Sequence, residues 1–421
     1  MAAIAYRAQA LGPLGKVDWT IPAGVSVIVG PNRVGKSTLL RVPKLIAHTF
    51  NQGIHEGFKA VFEGVPLLRN LRVPSSVPMT LGLRVNHAEW EVELTVQGGR
   101  LANLPGERLL VQGDTLLSRK FGSTEIESES YRFSYPGLLP SLAVNFAEDI
   151  VEGIKKGNLP GTPDLEDPTI IPKLRGLLPS GAPDEVIPAA IIMVWMYASA
   201  APAISFRTYH YEINHLLRFG SVHSSSLQLE ESGQNVFPLL RNWRDRPELE
   251  ERYEFVLTTM REIFPHLGRV GFEQAGQTST MVVSDRRWPG DTLIPVARES
   301  TGFITALLHL CALASCPRGG LVTFDEIETS LHPRAIRVLV EACRSWASKH
   351  DLRVVIATQS QTVLDQFREE PSQVFVLEPG QEVSPQSLTD LFSPEYLSQF
   401  SLGDLFAHLE FGGDSDDEPT A

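Results

Sequence analysis

The chain has 421 residues, a net charge of −13, and 43% apolar and 21% charged residues, the balance of a folded soluble protein with room for two or three domains. That acidity argues against avid, sequence-blind binding of nucleic acid, while leaving room for a local basic face. Three cysteines (Cys311, Cys316 and Cys343) make neither a disulfide framework nor a metal-type spacing. With no export-type pattern at the N-terminus, they point to a reducing cytoplasm.

Residues 1–100 read as a β-rich lobe. Val25–Val29 is a short apolar run expected to be a buried strand. It leads into Gly30-Pro31-Asn32-Arg33-Val34-Gly35-Lys36-Ser37-Thr38, which fits G-x-x-x-x-G-K-[ST] without mismatch. Ser37-Thr38-Leu39-Leu40 then opens a helical pattern. Strand, loop and helix in this order are what phosphate binding requires. Glycines at 30 and 35 let the backbone turn successive N–H groups toward phosphate oxygens, and the helix N-terminus adds partial positive charge. Lys36 is placed to reach the β- and γ-phosphates, and the Ser37 hydroxyl to hold Mg²⁺. Pro43 is expected to kink or end that helix. Gln52 is a lone polar candidate, although a lone glutamine in a polar stretch is more often simply solvated. Val85–Val96 alternates as a strand.

Residues 101–265 read as an irregular and then helical insertion. Proline recurs from Gly157 to Pro183, the mark of an extended surface loop. Val186–Ile204 carries no charge, but Pro188 and Pro202 leave too short a stretch to cross a bilayer, so a buried helix is expected. Arg241–Arg246 and Arg286-Arg287-Trp288 combine basic and aromatic residues. Such clusters can meet phosphates and stack bases, although solvated faces and internal ion pairs are commoner. Pro247-Glu248-Leu249-Glu250-Glu251 opens a helix, with proline and acids at its positive end.

Residues 266–400 return to strands. Ser300-Thr301-Gly302 stands at the start of the apolar helix Ile304–Ala314, which is either an anion-binding turn or an ordinary N-cap. Leu321–Phe324 is an apolar strand ending in Asp325-Glu326. Paired with a phosphate loop, such acids hold the Mg²⁺ shell and polarise an attacking water. Their distance from Lys36 along the chain means that the nucleotide fold is split by a large insertion or built with long arms between its halves. Val354–Ala357 is a buried strand ending in Thr358-Gln359-Ser360. Residues 401–421 form a tail whose acidic end, Asp414–Glu418, reads as disordered. No heptad pattern is sustained, so no long coiled coil is expected.

In this order the phosphate loop, the Ser300-Thr301-Gly302 turn, the strand with Asp325-Glu326-Ile327-Glu328 and Ser330-Leu331-His332-Pro333, and Thr358-Gln359-Ser360 resemble the ABC-type ATPase heads of the SMC and RecF kind. The chain is more closely similar to the prokaryotic AAA-family ATPases grouped with overcoming-lysogenization-defect and abortive-infection proteins. Glu231–Val236 and Ser401–Phe406 with Gly412-Gly413 are softer matches. The resemblance implies an α/β P-loop NTPase head of the ABC-ATPase type, with a mixed β-sheet and a compact, mostly helical insertion. It implies ATP and Mg²⁺ as cofactors. Glycines and neighbours from Gly30 to Thr38 would bind nucleotide, with Ser37 and Asp325 at the metal and Glu326 as general base. Ser300, Thr301 and Gly302 stand where the signature contacts the γ-phosphate on an opposite subunit. Gln359 occupies the place of the switch histidine, and as an amide it can still donate a hydrogen bond. The implied function is an ATP-driven switch that closes a head-to-head dimer, in antiviral defence or DNA processing. The implied partners are a second copy, a separate effector such as a nuclease, and DNA; no membrane is implied. An ATP-held scaffold with negligible turnover and a RecF-like DNA-repair ATPase are the competing readings.

Overall fold

A computed structural model describes residues 4–134 and 207–408, apart from residues 53, 63–68, 71, 98–99, 102–105, 121, 128–131, 209–210, 212, 223, 277, 288–291 and 379–383, together with Met196 and Phe411. In chain order, β1 (Ile4–Leu11), β2 (Leu14–Thr20) and β3 (Gly24–Val29) precede α1 (Lys36–Gln52) and α2 (Ile54–Phe62). There follow β4 (Met79–Val85), β5 (Ala88–Leu94), β6 (Val96–Gln97), β7 (Arg100–Leu101), β8 (Gly106–Val111), β9 (Asp114–Arg119), β10 (Glu125–Glu127) and β11 (Arg132–Ser134). The next elements are β12 (Arg207–Thr208), α3 (Ile213–Phe219), β13 (Ser221–Val222), α4 (Val236–Arg244), α5 (Glu250–Ile263), β14 (Leu267–Ala275), β15 (Thr278–Asp285) and β16 (Leu293–Pro295). The chain continues through α6 (Thr301–Ser315), β17 (Leu321–Asp325), α7 (Pro333–His350), β18 (Arg353–Ala357), α8 (Gln361–Leu364), β19 (Val374–Val376), β20 (Gln386–Ser387), α9 (Leu388–Leu391), α10 (Pro394–Gln399) and α11 (Leu402–Ala407).

The chain divides into two units. One comprises Met1–Ile21, Asn32–Phe206 and Leu377–Pro385. Its core is an eight-stranded sheet in the order β11-β10-β9-β8-β5-β4-β1-β2, whose neighbours run antiparallel. One face carries the apolar residues: along β5 Ala88, Trp90, Val92 and Leu94 are buried, while the three intervening glutamates are half-exposed. The strand expected over Val85–Val96 is interrupted where Asn86, at φ 52°, turns β4 into β5. The described part of the region expected to be irregular beyond residue 100 contains β8 to β11. Leu109, Leu117 and Ile126 supply the buried face, and short strands with many polar residues hide that period in the sequence.

α1 runs unbroken through Pro43, so the proline does not end it. Proline removes one helix donor, but Leu39, Leu40, Val42, Leu45 and Ile46 bury that face and hold the helix by packing. Beneath the sheet's apolar side lies a buried ion pair. The Trp90 indole N–H donates to Glu107 Oε1 at 2.8 Å, and Arg119 lies 3.6 Å from Glu107 Oε2 with side-chain exposures of 1% and 0%.

The other unit comprises Pro22–Pro31, Arg207–Val376 and Gln386–Ala421. Its six-stranded sheet runs β12-β17-β18-β3-β19-β20, parallel except for the edge strand β20. Every residue of β18 is buried, and β17 is buried up to Asp325, as befits central strands of a parallel sheet. Between β16 and β17, α6 is apolar all round and buried from Gly302 to Ser315. α7 starts at Pro333, takes its N-cap from His332 and ends at the left-handed Asp351 (φ 55°). β14 and β15 form a long antiparallel pair flanked by β13 and β16. Pro247 begins a single 3₁₀ turn that leads into α5, at the helix start expected there. This mixed α/β arrangement, with a phosphate loop leaving β3, is a P-loop NTPase fold.

Among the described residues no helix is long and apolar enough to cross a membrane. The expected helix over Val186–Ile204 lies outside the described residues except Met196, which is helical and buried. The Gly157–Pro183 loop and the Asp414–Glu418 tail lie outside them as well.

Glu107→Ala leaves the Arg119 charge buried without its counter-ion. It is expected to lower stability by about 3–5 kcal/mol. Chemical denaturation of parent and variant at equal concentration checks the figure.

Candidate functional site

The parallel order β17-β18-β3 brings three sequence motifs to one edge of the sheet. Asp325 pairs in register with Ala357, and Ala357 with Ile28. Asp325 therefore closes β17, Thr358-Gln359-Ser360 follows β18, and Gly30-Pro31 follows β3. The pairing continues past the strands: Glu326 N–H donates to Ala357 O at 2.9 Å, and Thr358 N–H to Ile28 O at 3.1 Å. Ligands of open parallel sheets bind outside these carboxyl ends.

Asp325 and Glu326 are exposed. Glu326 adopts φ 55° and Ser330 φ 64°. A side chain in this left-handed region costs about 1–3 kcal/mol, and such strain persists only where the surroundings enforce it. Here two turn bonds enforce it, from Thr329 N–H to Glu326 O and from Leu331 N–H to Glu328 O, both 3.0 Å. Glu328 turns back toward β18. Its Oε1 accepts from Thr358 Oγ1 at 2.8 Å and from Gln359 N–H at 3.2 Å. The Gln359 side chain stands on an exposed residue beside it.

The phosphate loop leaves β3 at Gly30 and enters α1 at Lys36. Asn32, Arg33 and Ser37 are exposed, Thr38 is half-buried, and Pro31, Val34, Gly35 and Lys36 are buried. Gly35 has φ 115°, and a Cβ there would lie 2.8 Å from Leu14 Cδ2 and 3.0 Å from Pro13 Cγ. Only glycine meets both demands. α1 has no acid in its first turn, and Lys36 stands there instead, 9% exposed. A cation is the wrong sign for the positive end of a helix and does not stabilise it. Among the described residues no cluster of three or more His, Cys, Asp or Glu could hold a metal by itself. Ser37 and Asp325 are each exposed.

At the start of α6, the Ser300 hydroxyl accepts from Phe303 N–H at 3.2 Å, so the expected N-cap is formed. Ser300 and Thr301 are exposed. Gly302 is pressed onto the loop after Glu326: a Cβ would lie 2.4 Å from Ser330 O. The Ser300–Gly302 turn and the loop after Glu326 are thus packed together.

Other singled-out residues have structural work. Asn235 Oδ1 accepts from Glu230 N–H, and its Nδ2 donates to Gln228 O, both at 2.9 Å, which shapes the turn before α4. Gly403 N–H donates to Asp365 Oδ1 at 2.8 Å, docking α11. Arg244 binds Asp245 at 2.8 Å, and Arg241 reaches both Asp245 and Gln274. Arg287 binds Asp285, and this guanidinium holds the Asp285 carboxyl down to about 2. Arg241, Arg244 and Arg287 are therefore engaged in internal ion pairs. Trp288 lies outside the described residues. Glu328 stood in the sequence motif without a role. Only the strand register shows that it faces Thr358.

Residues 179–365 match the sequence family described as "AAA domain, putative AbiEii toxin, Type IV TA system". The match takes in Ser300–Gly302, Asp325-Glu326 and Thr358–Ser360, and the phosphate loop lies ahead of it. A search of curated proteins returns no match. Among solved structures the chain is similar to an Smc head bound to the C-winged helix domain of ScpA, with 11% identity over 92% of this chain and 99% of that one and a TM-score of 0.44. It is also similar to an Smc head domain with an extended coiled coil, bound to the C-terminal domain of ScpA derived from Pyrococcus furiosus (11% identity, 93% and 98% covered, TM-score 0.42). A third is the SMC head domain from Thermotoga maritima (12% identity, 92% and 98% covered, TM-score 0.35). The matched segment, less than half of the chain, is similar to an AAA-type domain.

One group behind the site titrates far from its ordinary value. His309 on α6 packs edge-on against Phe324 (5.0 Å between ring centres) and Tyr211 (5.3 Å). Burial pushes its pKa down from 6.5 to about 3. As pH falls below 6.5 the unfolded chain takes up this proton and the folded chain does not, so stability falls with pH until about 3. His309→Leu removes that uptake. Its thermal midpoint is expected to drop less than the parent's on acidification across this window. Parallel melting curves over the pH series check it, and equal slopes would exclude a role for His309.

Proposed function

We propose that this chain is an ATP-binding and ATP-hydrolysing switch whose heads close in pairs around nucleotide. The observation that carries the reading is the alignment of Gly30, Asp325-Glu326 and Thr358-Gln359 at neighbouring carboxyl ends of β3, β17 and β18. The loop Gly30–Thr38 would cradle the phosphates through its N–H groups, with Lys36 as a point charge on them. Ser37 and Asp325 would hold Mg²⁺, which when bound offsets phosphate charge. Glu326 would take the proton from the attacking water. Its exposed carboxylate and fixed backbone suit a general base that acts on a bound substrate. Gln359 would donate a hydrogen bond to the γ-phosphate.

Head pairing rests on the exposed N-terminus of α6. Ser300 and Thr301 would meet the γ-phosphate held by a second copy. The wider role proposed is the ATPase component of an antiviral defence or DNA-processing system that acts with a separate effector. The description of the matched family as a toxin of a toxin–antitoxin system supports the defence setting. Gln359, an amide where relatives by resemblance carry histidine, favours the second reading of an ATP-held scaffold with negligible turnover.

Lys36→Ala is expected to abolish nucleotide binding or turnover. Glu326→Gln keeps shape but cannot accept a proton, so kcat should fall by roughly 10²–10⁴ while ATP stays bound and the paired form accumulates. Phosphate release and light scattering with Mg-ATP read both outcomes. Turnover in Glu326→Gln at the parental rate would remove Glu326 as base. A parent that binds ATP without turnover would favour the scaffold.

The pairing has its own test. Thr301→Glu places a negative charge at an exposed position without disturbing the Gly302–Ser330 packing. Mixed with Lys36→Ala chains, it should recover ATPase activity above either variant alone, since a mixed pair retains one intact composite site. Proven mixed pairs without recovery would sink the trans arrangement.

A further inference from the structure

Two loops meet behind the general base assigned above, and a single carboxylate joins them. Glu328 lies two residues past Glu326. Its Oε1 accepts two hydrogen bonds from the turn after β18, one from Thr358 Oγ1 at 2.8 Å and one from Gln359 N–H at 3.2 Å. Thr358 is fully buried, and its hydroxyl oxygen also accepts from Ser360 N–H at 2.9 Å. The second carboxylate oxygen, Oε2, is shut off from solvent and has no hydrogen-bond partner among the described residues. The side-chain hydrogen bonds of Glu328 therefore run through Oε1 into the Thr358–Ser360 turn.

The connection is reciprocal. Glu326 N–H reaches across to Ala357 O at 2.9 Å. Glu326-Ile327-Glu328 and Ala357-Thr358-Gln359 are thus laced by three bonds, two of them through Glu328. One bond fixes the left-handed residue that carries the base. The other two fix the backbone that carries Gln359.

We propose that Glu328 is a positioning residue: it latches the β18 turn to the β17 loop and so sets the Gln359 side chain relative to the Glu326 carboxylate. This rests on the ATPase reading above. Glu328 itself touches no reacting atom, because the oxygen it could use is committed to Thr358 and Gln359. The latch accounts for an acid at this position without making it a second base. A base must accept a proton, whereas a latch needs only an oxygen that accepts two hydrogen bonds, which an amide oxygen does as well.

Three full-length variants decide the matter. Glu328→Ala removes the latch, Glu328→Gln keeps an acceptor oxygen, and Thr358→Val removes the hydroxyl with little change of volume. Amide hydrogen exchange of residues 358–360 reads the latch directly, with or without turnover. Glu328→Ala and Thr358→Val should lose protection there, and Glu328→Gln should keep it. In Mg-ATP assays, the first two should lose roughly tenfold to hundredfold in kcat with ATP affinity near the parent's, the cost of misplacing a group by about an ångström. Combining Glu328→Ala with Thr358→Val should cost little more than either alone, since both break one connection. Glu328→Gln should turn over about tenfold faster than Glu328→Ala.

Unchanged exchange in Glu328→Ala would overturn the latch. Turnover in Glu328→Gln as low as in Glu328→Ala would make Glu328 a proton acceptor instead. ATP affinity that falls together with kcat and the melting temperature would reduce its role to general folding. A parent without ATP turnover would overturn the ATPase reading and the positioning role with it, while the exchange data still decide whether the latch exists.

Discussion

The parallel pairing of β17, β18 and β3 is the constraint on which the rest of the molecule depends. In a parallel sheet all strands end on the same edge, so whatever follows each strand is gathered there without further instruction. β18 is central and buried throughout, so its register cannot slip without exposing Val354, Val355 and Ile356. Fixing β18 fixes the Glu326 N–H on Ala357 O and the Thr358 N–H on Ile28 O. Asp325, Glu326 and Gln359 are exposed, but their backbone positions are set by a strand buried throughout.

Electrostatics then divides the work. The chain is acidic overall, yet the start of α1 carries Lys36 and no acid. Asp245 and Asp285 pair with Arg241, Arg244 and Arg287. The helix dipole and Lys36 place positive charge at the start of α1.

The residues most legible in the sequence were those whose chemistry needs contiguous neighbours. The Gly30–Thr38 loop, the Asp325-Glu326 strand end and the N-cap at Ser300 each sit within a few residues, and period and spacing reveal them. Relations across strands were not legible. That Glu328 faces Thr358, and that Gly302 rests on Ser330, depends on register and helix placement, which no local pattern encodes. Pro43 misled for a physical reason: helix-breaking is a local tendency, and the buried face of α1 outweighs it. β8 to β11 were missed because their half-exposed faces dilute the alternation on which strand reading relies.

The contact between Gly302 and Ser330 has a mechanical corollary. α6 is encased in the core, so its first turn cannot yield independently of the body behind it. The loop from Glu326 to Leu331 is short, holds two left-handed residues and is tied by two turn bonds. In the proposed pair, the anion that reaches Ser300 and Thr301 comes from the other copy. Its arrival would press on the loop that carries this copy's own Glu326. Each head would then sense closure at its signature turn and answer at its base, with Gly302 as the point of transmission. A larger residue there would disturb the loop even in an isolated chain, so signalling and folding place the same demand on this glycine.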